Sequence, residues 1–368
     1  MVNVKQKLAE HITVGSYKEE AMNSIIRPNL LNGVPTVVPQ DQDGYCTLYK
    51  IDCSDGLGLM TVYQVYPGVE LIYNDFETAE CSWGNELEGN ILEINHCREG
   101  REECRLKSGA CLYLGEGDLS IHMMDNCAPA MSFPLKHYRG ITVILDLDKI
   151  AADPPEALQD TSLDILGFRE KFCSDDRCLV MPARDEIEHV FSELYSVPDC
   201  LQKPYYRIKV QELLLFLCMI DVTSEKQREQ YMSPQVEVVK QIHKRLTSDL
   251  RSRLTIEELS KEYLINTSTL KATFKGVYGQ PIATYMKEYR IRQAAVLLRQ
   301  TQGTIADIAN QVGYENQSKF PLLLNRLWVL HLLHTVANHG DPIGVKIYLL
   351  GYRSCPFYIV IIDNVRWQ

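Results

Sequence analysis

Residues 254–278 read LTIEELSKEYLINTSTLKATFKGVY, and residues 304–320 read TIADIANQVGYENQSKF. In the first stretch Ile256, Leu259 and Tyr263 stand at i, i+3 and i+7, the spacing of one apolar helix face. Asn266 is a strong N-cap residue, and it predicts a second helix over Thr267 to Tyr278 with Leu270, Phe274 and Val277 turned inward. Gly279 ends that helix, and Pro281 suits the first turn of another, Ile282 to Gln300, which is expected to bury Tyr285, Tyr289, Ala294 and Leu298. After Gly303 the arrangement repeats. Thr304 caps a short helix with Ile305, Ile308, Ala309 and Val312 inward, Gly313 turns, and Asn316 caps a helix that begins Gln317-Ser318-Lys319-Phe320.

A short helix, a tight turn and a second capped helix is the way a chain presents a helix to the DNA major groove. Two such units in tandem resemble the AraC/XylS family of transcription regulators. The residues that carry the resemblance are Thr255 to Ser260, Leu270 to Lys275, Pro281 to Tyr285, Arg290 to Ala294, and Ile305 to Ala309 running on to Val312-Gly313-Tyr314. The resemblance implies that Ser268, Lys271 and Ala272 face the bases and Lys275 a phosphate. In the second unit Gln317 and Ser318 are the corresponding DNA-facing candidates. Ser bonds base edges or phosphates, and Lys reaches guanine acceptors or phosphate. Arg290 and Arg292 on the connecting helix can pair with acids or touch phosphate, and the sequence does not choose.

The chain has 368 residues, enough for two domains, and 45% hydrophobic content supports sizeable cores. The formal net charge is −10, so nucleic acid is not bound over the whole surface. Between Ser233 and Phe320, however, 13 Lys and Arg stand against 8 Asp and Glu, a net +5. A basic module on an acidic body fits a protein that meets DNA with one end. The 12 cysteines are thinly spread and no secretory leader is visible, so the expected setting is a reducing cytoplasm with most thiols serving as small buried hydrophobes. No apolar run before Phe320 is long and uncharged enough to span a membrane.

The N-terminal half predicts an antiparallel sandwich or barrel. Tyr45–Asp52, Leu59–Val65, Leu71–Phe76, Ile91–Cys97, Glu102–Leu106, Ala110–Gly115, Leu119–Met123 and Ile141–Leu147 alternate or run apolar between turn residues. The segment from Glu93 to Arg101, with Gly117-Asp118-Leu119, resembles the cupin-like sensor of the same family. Helices are expected over Leu158–Phe172, Arg184–Ser196 and Tyr205–Val222. Leu213, Leu214, Leu217 and Met219 on the last of these form a wide apolar face. They are read as packing against the barrel or, as the resemblance implies, as a homodimer interface. The fold class is therefore α+β: a cupin-like β-barrel with dimerising helices (1–222), a polar linker (223–234), an all-α tandem helix-turn-helix domain (235–320) and a divergent tail (321–368).

The second helix-turn-helix unit is incomplete. At Pro321 the pattern stops, because a proline past the first turn removes a helix hydrogen bond at a cost of about 3 kcal/mol or more. The apolar run from Leu322 to Leu330 lacks the family's basic groove-facing residue, and the chain beyond Phe320 reads as out of frame or rearranged. No nucleotide fingerprint, phosphate loop or Gly-x-Ser-x-Gly is present, so no enzymatic activity is expected. His96, His122 and His137 are separated and form no His-x-His, so neither a metal site nor a cofactor is expected. A small-molecule effector inside the barrel is the default, with Tyr63, Tyr73, His96 and Arg98 as candidate lining. The expected partners are double-stranded promoter DNA, an unidentified effector, a second copy of the chain and, for an activator, RNA polymerase. The competing reading is a stand-alone ligand-binding or enzymatic barrel with a degraded C-terminal domain.

Overall fold

The computed structural model describes residues 25, 36–39, 45–53, 55–82, 89–128, 130–159, 164–174, 177–223, 229–301, 304–314, 320, 347–350 and 359–362. The chain divides into two compact units. One comprises residues 1–108 and 112–228, and the other residues 109–111 and 229–368.

The first unit is built on an antiparallel sheet of eight strands. They are β1 (Thr36–Pro39), β2 (Cys46–Cys53), β3 (Gly56–Tyr66), β4 (Val69–Glu77), β6 (Ile91–Gly100), β9 (Leu119–Met123), β11 (Tyr138–Asp146) and β12 (Leu179–Met181), in the order β1-β2-β3-β4-β11-β6-β9-β12. A second sheet runs β8-β7-β10-β5 through β5 (Glu80–Ser82), β7 (Glu102–Arg105), β8 (Ala110–Leu114) and β10 (Ala130–Ser132). The alternating pattern of β3 is visible in its burial, where Gly58, Met60 and Val62 are inside and Leu57, Leu59 and Thr61 half-exposed. All eight strands expected from the pattern are present. The four that escaped it, β1, β5, β10 and β12, are three or four residues long, too short for a period of two to show.

Helices cover one face of the large sheet. α1 (Leu147–Ala152) and α2 (Glu156–Gln159) lead to α3 (Gly167–Cys173), α4 (Asp185–Phe191) and α5 (Gln202–Met219). The helix expected over Leu158–Phe172 is thus two short helices flanking residues 160–163, which lie outside the described ones. Phe168, Phe172, Ile187, Phe191, Tyr206, Val210, Leu213, Leu214 and Leu217 join Leu71, Leu92, Ile121 and Ile141 of the sheet in one core. This decides between the two readings of the leucine face. Leu213, Leu214 and Leu217 are 2% exposed or less because they pack on their own sheet. Only Met219 of that set is outside, and with Ile208 and Leu215 it makes a separate exposed apolar stripe.

The second unit is helical over α6 (Ser233–Ser248), α7 (Ile256–Glu262), α8 (Thr267–Tyr278), α9 (Ile282–Gln300) and α10 (Ile305–Gln311). Ser233 is the first residue of α6, Met232 holds the cap position and Pro234 lies in the first turn. Farther on, Ile347–Leu350 pairs antiparallel with Ile359–Ile362. No described helix is long and apolar enough to cross a membrane.

Candidate nucleic-acid interface

Each end of the tandem arrangement begins with the same local device. The Thr255 hydroxyl accepts from the Glu258 amide while the Glu258 carboxylate accepts from the Thr255 amide, and Thr304 and Asp307 repeat this capping box 49 residues later. Both acids are held below the usual carboxylate range by hydrogen bonds from their threonines. The turn after each short helix then needs a left-handed residue. Gly313 fills it at φ +80°, but in the first unit it is Leu264 at φ +52°, 94% exposed.

That first turn aims α8. Ser260 Oγ donates to the Ile265 carbonyl at 2.6 Å, tying the end of α7 to the turn. Asn266 Oδ1 accepts from the Thr269 amide and from Ser268 Oγ, both at 2.7 Å, and Gly279 at φ +78° closes the helix. Leu270, Thr273, Phe274, Val277 and Tyr278 are buried. Phe274, Tyr278, Tyr285 and His243 form an aromatic cluster with ring centroids 4.4–5.6 Å apart, and His243 Nε2 lies 2.9 Å from the Tyr285 hydroxyl. With that stripe fixed inward, Ser268, Lys271, Ala272 and Lys275 fall at i, i+3, i+4 and i+7 on the opposite face, and all four are exposed. Gln317 and Ser318 lie outside the described residues.

The connecting helix α9 resolves the two arginines. Arg290 donates from Nε to the Leu250 carbonyl at 3.1 Å and from Nη2 to the Ser252 carbonyl at 3.2 Å. Arg253 in turn donates to the Gly313 carbonyl at 2.8 Å. Burial, with Arg253 beside it, lowers the Arg290 guanidinium from its ordinary value. Arg290 is therefore a brace for the loop between α6 and α7, whereas Arg292 reaches Glu288 at 3.6 Å along the helix. Tyr289 and Leu298, expected inside, are only half-buried, while Tyr285 and Ala294 are inside as the spacing predicts. Around the second short helix Ile291, Ala294, Ile308, Ala309, Val312 and Phe320 make a core of their own. Phe320, the last residue before the pattern is lost, is fully buried there, with its ring 5.2 Å from that of Tyr314.

In the N-terminal unit the candidate effector residues do come together, as one layer between sheet and helices. Tyr63 lies against Tyr45, Tyr73 and Tyr206 at 4.9–5.8 Å. His96 stacks on Phe191 at 4.5 Å and meets the Tyr195 hydroxyl at 3.1 Å, and Arg98 lies over the Tyr195 ring at 4.3 Å. Burial, followed by the charge of Arg98, pushes His96 down to about 4, so it is neutral at pH 7. The absence of a His-x-His did not settle the metal question. Strand pairing gathers Cys104, His122 and Cys127, which are scattered in sequence, into one cluster.

Residues 259–328 match a helix-turn-helix domain model, so the match runs past Phe320 into the divergent tail. A regulator of Streptomyces lividans described as AraC-like is 36% identical over 73 residues, 20% of this chain and 24% of its own length. The HTH-type transcriptional activator RhaR of Mannheimia succiniciproducens is 22% identical over 111 residues, 30% of this chain and 40% of its own. Among solved structures, ToxT of Vibrio cholerae with a bound unsaturated fatty acid is aligned over 70% of this chain and 91% of its own, at 14% identity and a TM-score of 0.31. The C-terminal unit thus carries an AraC-type helix-turn-helix domain. The chain spans between a quarter and two fifths of the curated relatives named, and the shared part is this domain.

Proposed function

We propose that the chain is a sequence-specific DNA-binding transcription regulator, with α8 as the helix that enters the major groove. The observation that carries this is the exposed Ser268, Lys271, Ala272 and Lys275 face on a helix capped at both ends and anchored by a fully buried stripe. The names of the relatives support the same reading. Lys271 and Ser268 read base edges, and Lys275 fixes register through phosphate. The test is selection of bound fragments from a genomic library by the full chain, followed by Kd measurements on the selected duplex over a range of salt. Lys275→Ala is expected to lower the salt slope by about 1 and to weaken all sequences alike, whereas Lys271→Ala costs about 1–3 kcal/mol and relaxes preference at one base. Unchanged affinity and slope in both variants would sink the assignment.

The N-terminal unit is proposed as the sensor, with a small-molecule effector acting through the layer of Tyr63, Tyr73, His96 and Arg98. Its binding shifts how two copies present α8 to adjacent half-sites. The exposed Ile208, Leu215 and Met219 stripe on α5, rather than the buried leucines, supports pairing of two copies. Contact with RNA polymerase follows if the regulator activates, and a cytoplasmic location goes with the role. The chain after Phe320 is proposed to weaken the second unit's grip on DNA. The competing reading, a ligand-binding unit whose DNA-binding part is degraded, rests on the loss of pattern at Pro321. Fragment selection that enriches no sequence, while the chain still retains a ligand, would favour it.

A further inference from the structure

The N-terminal unit brings three soft donor groups to one point where its two sheets meet, with a fourth beside them. Cys104 comes from β7 of the small sheet and His122 from β9 of the large one. Cys127 follows the single turn Met124–Asn126 and bridges back to Leu106. One donor atom from each of Cys104, His122 and Cys127 lies within 4.8 Å of the other two, and the two sulfurs are 2.8 Å apart. Cys178, which is 2% exposed and lies beside the Cys104 thiol though outside the 4.8 Å cluster, is the candidate fourth ligand. Strand register explains its place. β12 runs antiparallel to β9 with Leu179 opposite Ile121, so the preceding residue, Cys178, sits level with His122.

The histidine is arranged as a ligand. It is 6% exposed, its Nε2 lies 3.6 Å from the Glu93 carboxylate directly across the β6–β9 ladder, and its Nδ1 is buried with no hydrogen-bond partner. A buried ring nitrogen left unsatisfied is destabilising, and a metal ion removes that cost. Glu93 then holds the Nε2 proton and fixes the tautomer, the carboxylate–histidine arrangement common at metal sites. Three sulfurs and one imidazole nitrogen suit a borderline-soft ion that accepts tetrahedral geometry, and they exclude calcium and magnesium, which take oxygen ligands.

We propose that Cys104, Cys127, Cys178 and His122 form a closed tetrahedral site for zinc, stapling the small sheet to the large one in the N-terminal unit. Zinc–sulfur arms of about 2.3 Å put tetrahedral donors about 3.7 Å apart, so the Cys104 and Cys127 sulfurs, now 2.8 Å apart, separate by about 1 Å while Cys178 turns in toward the metal. On binding, each thiol gives its proton to solvent and the imidazole binds neutral, which leaves three thiolates around a divalent ion and no change of oxidation state. This site is independent of the DNA-binding reading and stands or falls without it.

The experiment uses the full chain purified without oxygen in a non-chelating phosphine reductant. Elemental analysis is expected to find about one zinc per chain. Replacement by cobalt is expected to give thiolate-to-cobalt charge-transfer bands and the intense visible bands of a tetrahedral centre. Cys104→Ser, Cys127→Ser, Cys178→Ser and His122→Ala are each expected to weaken cobalt binding more than about 100-fold, and Glu93→Gln about 10–100-fold. Cys200→Ser, at an exposed cysteine, leaves it unchanged. Should a ligand variant fail to fold, thiol titration of the native wild-type chain decides instead: three thiols become reactive on chelation and are protected again when zinc returns. A reduced, folded chain that takes up neither metal, a cobalt spectrum without thiolate bands, or chelation that exposes no thiols would overturn the proposal.

Discussion

Gly313→Ala tests how the tandem domain is held together. Gly313 sits at φ +80°, and a Cβ there would stand 2.2 Å from the Leu250 carbonyl oxygen and 3.1 Å from its carbon. That carbonyl is not free to move, because Arg290 donates to it at 3.1 Å while holding Ser252 as well. Arg253, from the same loop, donates to the Gly313 carbonyl itself at 2.8 Å. Alanine therefore meets two costs. The left-handed conformation costs about 1 kcal/mol for any L side chain. Displacing the loop weakens hydrogen bonds made by charged donors, about 1.5–3 kcal/mol. The sum is about 2.5–4 kcal/mol, felt in α9 and α10 and not in the sheets of the other unit. Gly109→Ala separates the terms, since Gly109 has a similar φ of +85° with nothing within 4 Å of the added Cβ. Amide hydrogen exchange resolved by peptide is the assay, because the two units need not unfold together. Protection of α9 and α10 is expected to fall by about two orders of magnitude or more in Gly313→Ala. A loss no larger than about 1 kcal/mol, matching Gly109→Ala, would refute the brace between Arg290, Leu250 and Gly313.

Leu264→Asn relieves the left-handed turn between α7 and α8 and removes a 94% exposed leucine, so the unit is expected to gain about 0.5–1 kcal/mol by denaturant titration; a loss would show that Leu264 packs on something. His96 gives a pH dependence with a definite sign. Its folded value of about 4 lies below the unfolded 6.5, so the folded state takes up fewer protons between those values and stability falls as pH drops through that window. The expected loss between pH 7 and pH 5 is about 2 kcal/mol in near-ultraviolet dichroism melts, absent in His96→Gln; equal slopes in both proteins would contradict it. Phe320→Ala is expected to cost about 3–5 kcal/mol in the second half of the helical unit, because the ring is fully buried; a cost under 1 kcal/mol would mean that the core closes without it.

The helical unit was largely legible because its signals are local. Thr255, Asn266 and Thr304 are caps that act within three residues, and Leu270, Phe274 and Val277 repeat at the helical period. Arg290 was not legible, since its role depends on carbonyls about 40 residues away in a loop that no pattern marks. Leu213, Leu214 and Leu217 left two readings open for the related reason that a wide apolar face does not say whose surface covers it. Eight of the strands followed from alternation and turn residues. The cysteine–histidine cluster was invisible, because Cys104, His122, Cys127 and Cys178 lie on four segments joined only by strand pairing. Phe320 shows the opposite case. It is the last residue that fits the pattern, and it is buried as the pattern requires.

The central claim is that the Ser268, Lys271, Ala272 and Lys275 face of α8 lies against DNA. A photo-reactive residue placed at position 271 of the full chain, on a duplex recovered by fragment selection, tests it most directly, with the same residue at exposed Lys244 on α6 as the comparison. The account predicts cross-links to bases at a fixed position of the duplex from position 271 and none from position 244. Equal yields from the two positions, or cross-links from position 271 that map to no fixed base, would contradict it.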